Sequence, residues 1–293
     1  MPDAAPVAMD VQADRIRVIP TGGALGARVE GFDRTRPGDA AARATLTRAF
    51  LDHQLLVVPG APMTPVQMRD FSAIFGEVVP QLLRYKRVGE LPEVSRMEST
   101  LKPDGGTDKT AIRAERWHTD DSYMQVPAKG TALHAHEIPS RGGMTWFCNM
   151  YAVHEALPEA TKRRIDGRMA VHGYDTPRAL NRPSPRTPQE IAETPDVVHP
   201  LVRTHPETGR KALYLNFNRL DHILDMERAE SDALLDELQA VAEQPRFHFG
   251  HRWTVGDAVV WDNRCLMHRV DVDYPEGEPR IILRTLLRGD RPV

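Results

Sequence analysis

The distribution of apolar and polar positions along the chain predicts many short strands and few helices. Strands are recognised by apolar residues that alternate with polar ones, or by short β-branched runs bounded by glycine or proline. Such segments occupy residues 16–33, 55–60, 130–138, 211–216, 247–255, 257–263 and 280–290. Residues 16–33 are predicted to form two short strands around a glycine turn. More strands are predicted in the second half of the chain than in the first half.

Apolar residues at helical spacing predict four helices. They are expected at residues 41–54, 64–77, 149–167 and 227–244, the third with a proline interruption. In the second helix, Thr64 and Gln67 can form a capping box, and Pro65 fits the first turn. The apolar residues expected to face the core are Phe71, Ile74 and Phe75 in that helix, and Leu234, Leu235 and Leu238 in the last.

These elements predict a single domain over residues 15–293, preceded by a flexible tail over residues 1–14. Short strands that outnumber helices, without regular βαβ units, are typical of an antiparallel sandwich or barrel with helices packed outside. The predicted fold class is therefore mainly β with flanking helices. Residues 98–115 are polar and contain glycine, and residues 172–196 are rich in proline, so both are predicted to be loops that act as lids.

Composition and charge narrow the class of protein. Of the 293 residues, 41% are hydrophobic and 27% are charged, with a formal net charge of -3 at pH 7. This balance indicates no general attraction to nucleic acid or to an anionic membrane. No window approaches the ~20 apolar residues of a membrane span, and the first residues lack the pattern of a signal peptide. We therefore expect a cytoplasmic protein, in which Cys148 and Cys265 are buried free thiols.

The sequence WHTDDSY, residues 117–123, contains a candidate metal-binding pair. If this stretch is extended, His118 and Asp120 point to the same face, because side chains alternate along a strand. An imidazole and a carboxylate side by side can supply two ligands of a metal site. The pair alone is a weak signal, since a histidine bonded to a neighbouring acid at a strand end has the same spacing.

A third candidate ligand follows 148 residues after Asp120, at His268 near the end of a strand-like segment. Two histidines and one carboxylate that leave open positions are typical of non-haem Fe(II) oxygenases. Three protein ligands leave three metal positions for a bidentate cosubstrate and dioxygen. The pattern favours a metal-dependent oxidation.

Two arginines lie beyond His268. Arg280 and Arg284 are four residues apart, so an extended strand would turn both to the same face. Two guanidinium groups facing one cavity would hold two anions, and a buried arginine requires an anionic partner. The alternative is a pair of ordinary surface arginines.

Other candidate groups fit a structural role better. A shift of one residue would make Asp121 the carboxylate ligand, but on a strand it would face the opposite side. His134 and His136 are two apart on a predicted strand, and no acid lies nearby to complete a metal site. Trp117 and Trp261 are expected to pack beside the site.

Several motifs taken together resemble a known family. The sequence resembles the TauD/TfdA family of Fe(II)- and 2-oxoglutarate-dependent dioxygenases, which includes taurine dioxygenase and 2,4-dichlorophenoxyacetate dioxygenase. The resemblance covers roughly residues 16–290. The motifs that carry it are FGEV (75–78), WHTD (117–120), IPSRGGMTWF (138–147), PLVRTHPETGRKALYLN (200–216), WDNRCLMHR (261–269) and RIILRTLLRGD (280–290).

The resemblance implies a fold, a set of cofactors and a role for each candidate residue. The implied fold is a double-stranded β-helix, the cupin-like jelly roll, which agrees with the strand pattern. Fe(II) is the implied metal, and 2-oxoglutarate and O2 are the implied cosubstrates. The implied iron ligands are His118, Asp120 and His268, the residues implied at the distal carboxylate of 2-oxoglutarate are Thr145 and Arg280, and the residue implied at the substrate anion is Arg284.

The implied reaction hydroxylates a small anionic organic substrate and releases succinate and CO2. An aryloxyalkanoate-like carboxylate is favoured, with C–O cleavage after hydroxylation, and a sulfonate or sulfate ester is the alternative. Residues 79–87 contain no histidine, whereas the resemblance implies one in this segment of taurine enzymes, which argues against taurine itself. A non-catalytic ligand-binding jelly roll and a macromolecule-modifying oxygenase are further alternatives, and the sequence leaves a homo-oligomer open.

Overall fold

The computed structural model describes residues 15–36, 39–101, 107–108, 114–179 and 185–293. The tail predicted over residues 1–14 lies outside this part of the chain. The helices of the described part are α1 (Ala40–His53), α2 (Pro65–Ser72), α3 (Met150–Ala156), α4 (Glu159–Ile165), α5 (Pro188–Ala192) and α6 (Arg228–Ala242). Strands are more numerous, as the sequence predicted.

A large, mostly antiparallel sheet forms one layer of the fold. In spatial order its strands are β1 (Arg17–Pro20), β2 (Ala27–Glu30), β3 (Leu55–Val58), β16 (Ala258–Asp262), β8 (Gly130–Glu137), β18 (Arg280–Leu287), β6 (Leu91–Leu101) and β5 (Arg87–Val88). Two short strands extend it: β4 (Val78–Val79) pairs with β18, and β7 (Thr107–Asp108) pairs with β6. β2 and β3 pair in parallel.

A smaller sheet forms the second layer. Its strands, in spatial order, are β15 (His248–His251), β9 (Thr145–Asn149) and β17 (Leu266–Val270). Two minor sheets complete the fold. One contains β11 (Val197–Pro200), β10 (Met169–His172) and β14 (Leu220–Ile223), and the other contains β12 (Val202–Thr204) and β13 (Lys211–Leu213). The architecture is the predicted jelly roll with flanking helices.

The centre of the large sheet is covered on both faces, which explains its uninterrupted apolar sequences. Along β3, Leu55 and Val57 belong to the core between the sheets, whereas Leu56 and Val58 belong to the core under the helices α1 and α2. β16 alternates in the same way. A strand buried on both faces reads as a continuous apolar run instead of an alternating one.

Most predicted helices are confirmed, but the helix predicted over residues 64–77 ends at Ser72, and Ile74 and Phe75 are buried beyond its end. Thr64 and Gln67 form the predicted capping box, with Pro65 in the first turn of α2. The helix predicted over residues 149–167 is two helices, α3 and α4, separated at Pro158, because proline cannot continue the hydrogen-bond ladder of α3. The core-facing leucines of α6 are buried. Cys148 and Cys265 are buried free thiols, as expected.

The two predicted lid loops begin too early. Residues 98–101 are the end of β6 and not a loop. Ser99 lies opposite Arg280 of β18, and its hydroxyl oxygen accepts a hydrogen bond from the Arg280 N–H at 3.0 Å. Residues 102–106 and 109–113 lie outside the described residues.

The second predicted loop, 172–196, begins at the last residue of β10 and contains the helix α5. Pro188 was a loop signal in the sequence, yet it occupies the first turn of α5 after a Thr187–Glu190 capping box. Residues 180–184 of this predicted loop lie outside the described residues.

A buried ion pair between Arg264 and Asp262 lies at the carboxyl end of β16. Arg264 donates to both carboxylate oxygens of Asp262, at 2.9 and 2.6 Å, and His205 Nε2 lies 3.1 Å from Asp262 Oδ2. Burial alone would raise the pKa of Asp262, but these partners outweigh it and hold the pKa well below its usual range. The pair therefore stabilises the fold above about pH 4, the unfolded pKa, and this contribution is lost as the pH falls further.

We expect Asp262→Asn to lower the free energy of unfolding by about 1.5–3 kcal/mol at neutral pH, because it removes the buried one of the two carboxylates paired with Arg264 and leaves only the partly exposed Glu207. Urea denaturation measures the change, and the difference from wild type should shrink below pH 4. Glu77→Gln is the control, since it removes the partner of Arg288 in an exposed ion pair and should leave stability unchanged. Equal urea midpoints for Asp262→Asn and wild type would contradict this account of the buried pair.

Candidate metal centre and adjoining cavities

His118 and His268 are brought together by a backbone bridge between a loop and the small sheet. His118 lies outside the named strands, but its N–H donates to the carbonyl of His268 at 3.0 Å, and the reverse bond is 2.7 Å. His268 lies in β17. The two imidazole rings are 4.1 Å apart at their centroids. Two histidines that are distant in sequence thus face the same point.

Asp120 completes a set of three possible metal ligands. Its Oδ1 lies 4.0 Å from His118 Nε2, and its Oδ2 lies 3.9 Å from His268 Nε2. One donor atom from each of the three residues lies within 4.8 Å of the others. The structure therefore brings together the three residues that the sequence pattern selected.

Asp121 is excluded from this set by a turn and not by strand alternation. The chain leaves the extended conformation at Asp120, and Asp121 has a left-handed backbone with φ 55°. Its carboxyl group accepts a hydrogen bond from the Tyr123 hydroxyl at 2.9 Å. The condition that this stretch is extended therefore fails from Asp120 onwards, although the choice of Asp120 agrees with the geometry.

The protonation states of the three residues suit a divalent cation. His118 Nδ1 donates to the carbonyl of Arg116 at 2.8 Å, which leaves Nε2 with its lone pair. Burial lowers the pKa of His118, and burial together with the charge of His118 lowers the pKa of His268 to about 3. Both imidazoles are therefore neutral at pH 7.

The carboxyl group of Asp120 is ionised. Burial alone would raise its pKa, but His268, Arg284, His118 and the Thr131 hydrogen bond outweigh burial and lower the pKa to about 2. Two neutral imidazoles and one carboxylate are a donor set that fits Fe(II).

Two cavities meet at these residues. We call the first the inner cavity; its volume is about 80 Å³. Its lining includes the residues His118, Asp120, His268, Thr145, Arg280 and Arg284. All six site residues selected from the sequence therefore line one cavity. Arg280 and Arg284 face the same side of β18, as the even spacing predicted.

Arg280 is a buried cation in the inner cavity. It is 6% exposed, and burial lowers its pKa to about 10. Its Nε donates to the carbonyl of Gly143 at 3.2 Å, and its Nη2 lies 3.4 Å from Thr145 Oγ1. Within the described part of the chain, no carboxylate forms an ion pair with it. A buried guanidinium without an anion is costly, so the cavity is suited to an anionic ligand.

Thr145 and Gly143 support this arrangement. Thr145 Oγ1 accepts a hydrogen bond from Trp253 Nε1 at 2.9 Å. Its own hydroxyl hydrogen is therefore available to a ligand in the inner cavity. Gly143 has a left-handed backbone, and a Cβ there would come 3.3 Å from the Arg280 side chain. Glycine leaves the space that the guanidinium stem occupies.

Arg284 lies between the two cavities. Its Nε and Nη2 both donate to Gln81 Oε1, at 3.2 and 3.0 Å, while Nη1 lies 3.6 Å from Asp120 Oδ1. Gln81 is 1% exposed and fixes the guanidinium plane. Arg284 is thus held beside the candidate metal ligand, with its side chain 20% exposed towards the cavities.

The second, or outer, cavity has a volume of about 110 Å³ and shares His118, Asp120 and Arg284 with the inner cavity. Sequence analysis missed most of its other lining. These residues include Leu82, Leu83, Lys86, Tyr123, Tyr174 and Arg219. The Arg219 guanidinium lies over the rings of Tyr174 and Tyr123, at 4.4 and 5.4 Å from their centroids. Of the segments that line the outer cavity, sequence analysis had related only residues 79–87 to the choice of substrate.

The helices were compared with the length and apolar character of a membrane span. None of those in the described residues combines the length and apolar character that crossing a bilayer requires.

Comparisons with known proteins agree with the site. The model of the family described as "Taurine catabolism dioxygenase TauD, TfdA family" matches residues 17–286. The (S)-phenoxypropionate/alpha-ketoglutarate-dioxygenase of Delftia acidovorans is 33% identical over 94% of this chain and 95% of its own. The alpha-ketoglutarate-dependent sulfate ester dioxygenase of Pseudomonas putida is 29% identical over 99% of this chain and 95% of its own.

A solved structure has the same fold. AAD-2, determined in complex with Mn(II) and N-oxalylglycine, superposes with a TM-score of 0.79 and is 28% identical, covering 94% of this chain and 98% of that one. A His–Asp–His set in such a family fits Fe(II) as the metal, with alpha-ketoglutarate (2-oxoglutarate) and O2 as cosubstrates. The chain therefore belongs to the TauD, TfdA family and is a 2-oxoglutarate-dependent dioxygenase.

Proposed function

We propose that this dioxygenase hydroxylates a small anionic organic acid, with an aryloxyalkanoate as the favoured substrate. The observation that carries the proposal is the pair of arginines on one face of β18. Arg280 is buried in the inner cavity and has no carboxylate partner among the residues that the structure describes, and Arg284 lies where the inner and outer cavities meet. Arg280 would bind the anionic cosubstrate, and Arg284 would bind the anionic substrate.

In this proposal, His118, Asp120 and His268 hold the Fe(II), and Arg280 and Thr145 bind the distal carboxylate of 2-oxoglutarate. Arg280 supplies a charged donor and Thr145 a hydroxyl hydrogen, both buried, so the carboxylate would lie in a strong, water-poor electrostatic environment. Bound together, Fe(II), 2-oxoglutarate and O2 supply the oxidation that hydroxylates a C–H bond and yields succinate and CO2.

The chain's part in substrate binding is to orient the anion and to enclose the apolar body. Arg284 would bind the substrate anion next to Asp120, which places the adjoining carbon near the metal set. Leu82, Leu83 and Tyr123 offer an apolar and aromatic wall to the rest of the molecule. Hydroxylation of a carbon that bears an ether oxygen gives a hemiacetal, which then cleaves at the C–O bond.

The aromatic and apolar wall of the outer cavity supports an aryl group on the substrate. The Delftia relative is an (S)-phenoxypropionate/alpha-ketoglutarate-dioxygenase, which supports the same substrate class. Arg284 would also bind a sulfonate or a sulfate, and the Pseudomonas relative is a sulfate ester dioxygenase. A sulfate ester or sulfonate is therefore the second candidate class.

Asp120→Asn should abolish tight Fe(II) binding, because the neutral amide removes the single anionic ligand of the set. Asp121→Asn is the matched control: it changes the adjacent acid by the same atoms, and Fe(II) affinity should stay close to wild type. Anaerobic calorimetric titration of the apoprotein measures both. Loss of Fe(II) binding in Asp121→Asn, with Asp120→Asn unaffected, would reverse the assignment of the two acids.

Arg280→Gln and Arg284→Gln should separate the two anion sites. Arg280→Gln should raise KM for 2-oxoglutarate by about 10–100-fold, because a charge-assisted hydrogen bond contributes roughly 1.5–3 kcal/mol. Arg284→Gln should raise KM for the organic acid and release succinate without product. Each variant serves as the control for the other, since the substitution and the strand are the same. An exchange of the two effects would refute the roles given to the arginines.

A substrate panel tests the favoured class. Matched aryloxyalkanoate, alkyl sulfate and alkyl sulfonate substrates are supplied with Fe(II), 2-oxoglutarate and O2, and succinate and product are both quantified. We expect the largest kcat/KM for the aryloxyalkanoate, and little turnover of its neutral alcohol analogue, which offers Arg284 no anion. Faster turnover of the sulfate ester would replace the favoured class by the second candidate.

A further inference from the structure

We propose that Trp261, Asn263 and Thr131 form a directed chain of hydrogen bonds that orients the carboxylate of Asp120 as a metal ligand. We call these three residues the donor chain. The inference rests on the proposed role of Asp120 as a metal ligand. It adds a positioning function to residues to which the proposed function gave no role.

The donor chain is continuous and buried. Trp261 Nε1 donates to Asn263 Oδ1 at 2.8 Å, and Asn263 Nδ2 donates to Thr131 Oγ1 at 2.8 Å. The Thr131 hydroxyl then donates to Asp120 Oδ2 at 2.6 Å. The exposed fractions of Trp261, Asn263 and Thr131 are 0%, 2% and 0%, so water does not compete for these bonds.

The direction of the chain follows from its first member. An indole N–H can only donate, so the Asn263 atom that faces it must be the amide oxygen. The Asn263 amide nitrogen therefore faces Thr131 and donates to its oxygen. The Thr131 hydroxyl hydrogen is left to point at Asp120, whose Oδ2 must accept it.

Asn263 is fixed by its backbone as well as by its side chain. Its N–H donates to the carbonyl of Lys129 at 3.0 Å, and its carbonyl accepts the Thr119 hydroxyl at 2.8 Å. Thr119 lies between His118 and Asp120 in the sequence. Trp261 also packs against the ring of His268, at 4.6 Å between centroids. The donor chain thus contacts both segments that carry the metal set.

The hydrogen bond from Thr131 restrains the rotation of the Asp120 carboxylate. Both carboxylate oxygens lie close to the histidines, with Oδ1 4.0 Å from His118 Nε2 and Oδ2 3.9 Å from His268 Nε2. Holding Oδ2 in place therefore keeps the carboxylate directed towards the point that the two imidazoles face, where it would help to hold the metal.

Thr131→Val tests the donor chain, because it removes the hydroxyl and keeps the shape. We expect the Kd for Fe(II), measured by anaerobic titration without cosubstrate, to rise by about 10–100-fold, the usual effect of losing a partner that orients a metal ligand. Thr131→Ser keeps the donor and should restore an affinity close to wild type. These are binding measurements and do not depend on turnover.

Thr285→Val is the control for loss of a buried hydroxyl. Thr285 is 0% exposed, lies on the neighbouring strand β18 and bonds to the Ser72 hydroxyl at 2.7 Å, away from the metal set. It should lower the urea midpoint without changing the Kd for Fe(II). Trp261→Phe is a second variant of the donor chain that keeps the aromatic packing, and its Kd should rise in the same direction by a smaller factor.

The outcomes separate this inference from the proposed metal site. If Asp120→Asn loses Fe(II) but Thr131→Val and Trp261→Phe bind it as wild type does, the donor chain has no positioning role. If Asp120→Asn also binds Fe(II) as wild type does, the ligand assignment itself fails. Should Thr131→Val not fold, Trp261→Phe and Thr131→Ser still decide the question, because an unchanged Kd in Trp261→Phe overturns the inference.

Discussion

The candidate site depends on two backbone hydrogen bonds that join His118 to His268. These bonds, 3.0 and 2.7 Å long, attach a loop to the last strand of the small sheet. They set the separation of the imidazoles, and the turn that follows places Asp120 between them. Backbone bonds are well suited to this task, because they fix the positions of Cα atoms before any metal binds and leave the side-chain nitrogens free.

The charges around this bridge favour anions in the two cavities. Arg280 and Arg284 face a region where Asp120 is the ionised metal ligand, and Arg280 has no carboxylate partner among the described residues. With a divalent metal, a dianionic cosubstrate and a monoanionic substrate in place, the charges of these groups and of the two arginines and Asp120 cancel. Binding of the ligands then removes the cost of the unpaired guanidinium.

Local rules predicted much of the site from the sequence. The period of two along a strand placed Arg280 and Arg284 on one face, and the HxD spacing selected His118 and Asp120. The rules failed where tertiary context determines conformation. Polar residues at the end of β6 resembled a loop because the pairing of Ser99 with Arg280 on β18 was not visible in a local pattern.

The lining of the outer cavity and the donor chain could not be predicted from the sequence, because both are formed by residues that are distant in sequence. Arg219 and Lys86 reach the outer cavity from separate segments that no periodicity connects. Thr131 and Asn263 are 132 residues apart and meet through side chains alone. The exclusion of Asp121 also came from a left-handed turn, which the sequence around it did not signal.

The most direct test of the central claim is an anaerobic titration of the apoprotein with Fe(II) and 2-oxoglutarate, followed by the visible charge-transfer band of the Fe(II)–cosubstrate chelate. The account predicts a band that saturates at one Fe(II) per chain in the wild-type protein and is absent in a folded His118→Ala variant. A band of equal strength in that variant, or no band in wild-type protein with iron bound, would contradict the claim that His118, Asp120 and His268 hold the metal beside a working 2-oxoglutarate site.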